Sequence, residues 1–119
     1  MDKQKFVREV FKAIDDMDAG RFADFMADDA NFKFANLETV SGREQINEFA
    51  GGFFSSIDSI SHDIAGVYKD EDAIVSHGMV TYTRKDSSSL TVPFATIMKM
   101  NDEQIKDYLV HVDASELYK

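Results

Sequence analysis

The chain has 119 residues, 44% of them hydrophobic and 29% charged, and 13 basic against 22 acidic side chains leave a formal net charge of −9. This is one domain with room for a real core, and its acid excess argues against nucleic acid and anionic membranes, which are bound by matching positive charge. No apolar run is long enough to cross a bilayer, MDKQKFVREV lacks a signal peptide's apolar stretch, and 0 Cys excludes a disulfide framework or a thiolate zinc site. The expectation is a cytoplasmic protein without cofactor, and the acid excess reads as a solubility feature.

The first segment, DKQKFVREVFKAIDDMDAG, carries Phe6, Val7, Val10, Phe11, Ile14 and Met17 at helical spacing. Asp2 is the expected N-cap and Gly20 the expected stop. A short second helix, RFADFMAD, puts Phe22, Phe25 and Met26 on one side, and ANFKF then alternates as a short strand. After the loop ANLETV, Ser41 and Glu44 form a capping-box pattern ahead of Ile46, Phe49, Phe53 and Ile57. Gly51 and Gly52 inside this third helix each cost ~1 kcal/mol relative to alanine, a cost that strong packing must offset, and their expected use is close approach of another backbone.

From residue 58 the pattern changes to strands. They run roughly from Ile60 to Tyr68, Ala73 to Thr83, Leu90 to Met100 and Gln104 to Asp113, separated by the polar turns KDED, RKDSSS and NDE. Pro93 makes its strand locally an edge or a bulge. The fold class is therefore α+β: helices first, then an antiparallel meander whose curved sheet holds the helices on one face. Residues 1–119 form a single domain.

Three stretches, DDANFKFANLETVSGREQI, VTYTRKDSSSLTVPF and IKDYLVHVDASEL, resemble the SnoaL-like branch of the nuclear transport factor 2-like superfamily. The resemblance spans essentially the whole chain. It implies a cone-shaped α+β barrel with an apolar cavity between helices and sheet, usually in a homodimer. Such relatives include polyketide cyclases, epoxide hydrolases, ketosteroid isomerases, dehydratases and binding domains without activity, so the fold alone does not choose a function. The two carboxyl positions of the steroid isomerases fall at about Phe34 and Thr96, and their helix-one tyrosine near Ala13. The last-strand aspartate of the epoxide hydrolases falls near Val110. Neither mechanism has its residues here. A cyclase-type reading keeps Asp113, which matches an acidic position of the family's final motif, as the candidate acid/base, with His111 to tune it or shuttle a proton.

If the three turns close simply, strand parity sorts the sheet into two faces. One carries His62, His77, Ala95, Ile97, Leu109, His111 and Asp113; the other carries Gly78, Val80, Tyr82, Phe94, Thr96, Met98, Tyr108, Val110 and Val112. The second set is the more apolar and is expected to face the helices and the cavity. With Phe34 and Phe53, the residues Tyr82, Phe94, Thr96, Met98, Tyr108 and Val110 form the expected lining. All three histidines and Asp113 then lie outside, unless a one-residue slip or a bulge at Pro93 reverses part of the pattern. HxxxH and CxxC spacings are absent, so no metal site is expected, and Asp15, Asp16 and Asp18 resemble a calcium loop only superficially.

Three functions remain open. The first is binding of a small hydrophobic molecule in the cavity. The second is an acid/base enzyme using Asp113 and His111. The third is a dimerisation module whose cavity is filled by its own side chains.

Overall fold

A computed structural model of the chain describes residues 2–118. Helix α1 (Lys3–Asp15) starts where Asp2 accepts a hydrogen bond from the Lys5 amide at 3.1 Å, and it buries Phe6, Val7, Val10, Phe11 and Ala13. Gly20 does not stop it. The chain turns instead at Met17, in the left-handed region with φ 55°, and Asp18 caps a new helix, α2 (Ala19–Asp24), by accepting from the Arg21 amide. Gly20 therefore lies inside α2, because the Asp18 carboxylate supplies a stronger start signal than the glycine supplies a stop.

Strand β1 (Met26–Phe34) is longer than ANFKF, and it pairs with a two-residue strand, β2 (Val40–Ser41), that its loop conceals in the sequence. The expected capping box is not formed at α3 (Arg43–Ser55). The Ser41 hydroxyl donates to Asn31 Oδ1 across β1 and β2 instead, and the N-cap is Gly42 at φ 96°. Gly51 meets the Ala19 side chain of α2, and Gly52 faces open space, so neither admits a neighbouring backbone.

The strands β3 (Ser59–Asp70), β4 (Ala73–Thr83), β5 (Ser89–Asn101) and β6 (Gln104–Val112) form the expected antiparallel meander. The order in the sheet is β2-β1-β6-β5-β4-β3, and β1 joins β6 in parallel, so the six-stranded curved sheet is mixed and its edges do not close into a barrel. Helix α1 packs on β3 and α3 on β1, with α2 against α3, so the three helices fill the inside of the curve.

Pro93 sits opposite Met79 of β4, one residue beyond the last pairing of β5 with β6 at Phe94 and Val112. It occupies a local edge without a bulge, as its missing N–H demands. The register breaks elsewhere, between Ile64 and Gly66 of β3 and between Lys99 and Met100 of β5. The first break decides the site. Near the turn Asp70 pairs with Ala73 and Gly66 with His77; beyond the extra residue Ile64 pairs with Gly78 and His62 with Val80. Gly78 permits this, because a Cβ there would collide with the Asp63 carbonyl and lie 2.9 Å from the Ala65 nitrogen.

Candidate functional site

Between helices and sheet lies an apolar cavity of about 50 Å³. Phe11 and Ile14 of α1, Phe22 of α2, and Phe49, Ala50, Phe53 and Phe54 of α3 close one side. Phe32, Phe34, Ile60, His62, Val80, Tyr82, Phe94, Thr96, Tyr108 and Val110 close the other from the sheet. The rings interlock, with centroids 5.3 Å apart for Phe34 and Phe53, 6.0 Å for Phe53 and Tyr82, and 5.7 Å for Phe22 and Tyr108. Of the expected lining, Phe34, Phe53, Tyr82, Phe94, Thr96, Tyr108 and Val110 border the cavity. Met98 shares their face, but it is fully enclosed in the core and does not reach the wall.

The wall carries few polar groups. The Thr96 hydroxyl is engaged with Ser76, its cross-strand partner, so neither of these two buried groups is orphaned. Burial pushes the Tyr82 phenol up to about 12, with the Tyr118 phenol adding to the effect. Tyr108 is raised further by the same cause, with Tyr82 contributing. Both are therefore neutral hydrogen-bond donors at physiological pH.

The remaining polar group is His62, and its position corrects the parity count. The extra residue of β3 turns His62 to the inside, where Phe11 and Phe94 enclose its ring at centroid distances of 4.6 and 5.1 Å and only 8% of the side chain is exposed. Asp15, at the end of α1, holds it twice. One carboxylate oxygen lies 2.6 Å from His62 Nδ1, and the other accepts the His62 backbone N–H at 3.1 Å. A carboxylate only accepts, so the hydrogen of that contact sits on Nδ1. The chain signals both residues weakly. Asp15 falls four residues after Phe11 in the apolar stripe, the place of an inward-facing side chain, and Gly66 and Gly78 within strands mark a bulge or a close backbone approach.

The other acidic residues of that turn do separate work. Asp16 bridges Lys12 and Arg21, each at 3.2 Å, which holds its carboxyl below the usual range, and Asp18 caps α2. Among the described residues no group of three or more His, Asp or Glu is placed to hold a metal ion. His77 and His111 lie on the outer face, His77 stacked on Tyr68 and His111 opposite Ala95.

His111 and Asp113 are both exposed, and neither borders the inner cavity. Alternation along β6 turns Tyr108 and Val110 inward and His111 outward, and Asp113 follows the strand's end, where it accepts from the Ser115 amide. Asp113 does border a crevice of about 350 Å³ with Phe34, Leu37, Val112 and Tyr118. A neighbouring crevice of about 390 Å³ runs over Phe34, Phe49, Gly52, Phe53 and Leu117. Phe34 and Phe53 therefore stand between the inner cavity and an apolar mouth. Arg84 pins the C-terminal turn beside that mouth by donating to the carbonyls of Leu117 at 2.8 Å and Glu116 at 2.9 Å.

Residues 7–108 match the SnoaL-like domain family. The chain belongs to that family. Solved structures show the same fold at low identity. A protein of unknown function from Burkholderia pseudomallei with the nuclear transport factor 2-like fold is 17% identical, with a TM-score of 0.87 over 98% of this chain and 95% of its own. A Catenulispora acidiphila protein with a ketosteroid isomerase-like fold, crystallised with trimethylamine, is 20% identical, with a TM-score of 0.84 over 90% of this chain and 84% of its own. TerC, co-crystallised with polyporic acid, is 15% identical, with a TM-score of 0.84 over 98% of this chain and 95% of its own. No curated protein matches the sequence. Within this SnoaL-like domain no described helix is long and apolar enough to cross a membrane.

Proposed function

We propose that this SnoaL-like domain binds a small hydrophobic molecule in the space that runs from the mouth into the cone. The observation that carries this reading is the shared wall: Phe34 and Phe53 are both half-buried, Phe34 bordering the small inner cavity and both mouth crevices, and Phe53 bordering the inner cavity and the larger of the two crevices. The inner space alone is well under the several hundred Å³ of an ordinary ligand pocket. Rotation of these two rings joins it to the mouth without disturbing the backbone. That relatives of this fold are crystallised with trimethylamine and with polyporic acid suits the same reading.

The test is thermal unfolding against a panel of aromatic polyketides, terpenoids and steroids, with the cavity-filling variant Val110→Phe alongside. A ligand at 100 times its dissociation constant adds about 2.7 kcal/mol, a shift of roughly 10 °C for a chain of this size. Stabilisation of the wild type but not of Val110→Phe is the expected result. Equal shifts in both, or none with any compound, refute it.

The family resemblance to homodimers fits the outer sheet face, where Tyr68 and Met79 are exposed and Val75, Ile97 and Leu109 are half-buried. A dimer through this face predicts that Met79→Glu lowers the sedimentation coefficient to that of a monomer. An enzyme that uses Asp113 would have to take substrate at the mouth crevice, which His111 does not border, and Asp113→Asn tests it: loss of turnover with retained binding would support that reading, and unchanged turnover would exclude it.

A further inference from the structure

We propose that Tyr82 and Tyr108 form a pair of hydrogen-bond donors for a neutral carbonyl oxygen, that of a ketone or a quinone, on the molecule that enters the cavity. The inference rests on the ligand-binding reading and adds the chemistry of the ligand. Both residues are almost fully buried, at 2% and 1% exposure, and both border the inner cavity. Neither hydroxyl has a hydrogen-bond partner among the described residues, yet no enclosed side-chain oxygen or nitrogen there is left orphaned. These facts agree only if each phenol oxygen opens on the cavity. A buried hydroxyl without a partner is costly, so two of them on one apolar wall point to an acceptor brought by the ligand.

Their placement sets where that acceptor lies. Tyr82 of β4 stands beside Phe53, which borders the mouth, with ring centroids 6.0 Å apart. Tyr108 of β6 lies deeper, against the buried rings of Phe22 at 5.7 Å and Phe32 at 5.4 Å. Both donors come from the sheet, away from the helix-one position near Ala13 where the steroid isomerases carry their tyrosine. Burial keeps both phenols protonated well above neutral pH, so they donate at any physiological pH. The Thr96 hydroxyl is already committed to Ser76.

Charge selects further. No lysine or arginine borders the cavity, and the Asp15 carboxylate lies behind the His62 ring in a chain of net charge −9. A carboxylate ligand would give up its hydration without a counter-charge. A hydrocarbon would leave both donors unpaired. A neutral carbonyl avoids both costs.

The test compares 1-tetralone with tetralin, which keeps the ring skeleton and lacks the carbonyl, and with 1-naphthoate, which carries an anionic acceptor, all on the intact chain. Calorimetry gives the affinities, and infrared difference spectra follow the carbonyl stretch of the bound ketone. The wild type is expected to prefer the ketone to the hydrocarbon about tenfold, as one well-made hydrogen bond allows. It should also lower the carbonyl stretch relative to the ketone in hexane and bind the naphthoate most weakly. The double variant Tyr82→Phe/Tyr108→Phe keeps both rings, so it should bind tetralin as before, prefer it to the ketone, and lose the infrared shift. The two single variants give the same comparison if the double variant does not fold. Wild-type affinity for tetralin equal to or above that for the ketone, or an unchanged ketone preference in the tyrosine variants, overturns the donor pair while leaving the cavity as a binding site. Tighter binding of the naphthoate than of the ketone overturns the neutral-carbonyl class. Failure of all three compounds on every protein overturns both readings.

Discussion

Substituting alanine at Gly78 tests the feature that places His62 inside. The new Cβ would strike the Asp63 carbonyl and sit 2.9 Å from the Ala65 nitrogen, so backbone, not a flexible side chain, has to move. Overpacking of this kind costs about 1–3 kcal/mol, and reduced freedom of the unfolded chain returns ~0.4–1 kcal/mol of it. A net loss of about 1–2 kcal/mol in a domain of this size lowers the melting temperature by roughly 4–8 °C. Gly52→Ala is the internal control, because nothing lies within 4 Å of its Cβ and it sits inside α3. There the better helix propensity of alanine should add about 1 kcal/mol and raise the melting temperature by roughly 4 °C. Thermal melts by circular dichroism give both numbers, and the His62 imidazole resonances report whether the ring still contacts Phe11 and Phe94. Gly78→Ala melting within about 1 °C of wild type, with the His62 resonances unmoved, would refute the account of the bulge.

Three further outcomes follow from the structure. Tyr82 titrates near 12 in the folded chain, above the ordinary phenol value near 10, so its stabilising effect is complete below pH 10 and is lost as pH rises to 12. That loss is about 2–3 kcal/mol, and urea melts across this range should show a shallower pH slope for Tyr82→Phe than for wild type; equal slopes would contradict it. Arg84→Ala removes the donors to the Leu117 and Glu116 carbonyls, so it should cost about 1–3 kcal/mol and speed amide exchange at 114–118 before it does so in β6. Leu117 is fully buried among the core side chains, so Leu117→Ala should destabilise by about 2–5 kcal/mol, measured by denaturant melts; a change under about 1 kcal/mol would mean that the terminal turn is not part of the core.

Much of this molecule is written locally. The stripe from Phe6 to Ile14 forms α1 with Asp2 at its cap, and the polar turns KDED, RKDSSS and NDE place the four long strands within a residue or two of their observed ends. Period-two alternation assigns Tyr82, Phe94, Thr96, Tyr108 and Val110 to the inner wall, because β4, β5 and β6 keep one register where those residues pair. The tertiary structure decided what depends on contacts between distant segments. The parallel pairing of β1 with β6 brings together residues more than seventy positions apart, and no turn sequence announces it. The inward turn of His62 hangs on one extra residue in β3, accommodated because Gly78 on the next strand has no side chain. A period-two pattern carries no memory across such an insertion, so a single unpaired residue reverses the face of everything before it. Asp15 and His62 are ordinary polar residues in the sequence and become a pair only when α1 lies across β3, 47 positions later in the chain.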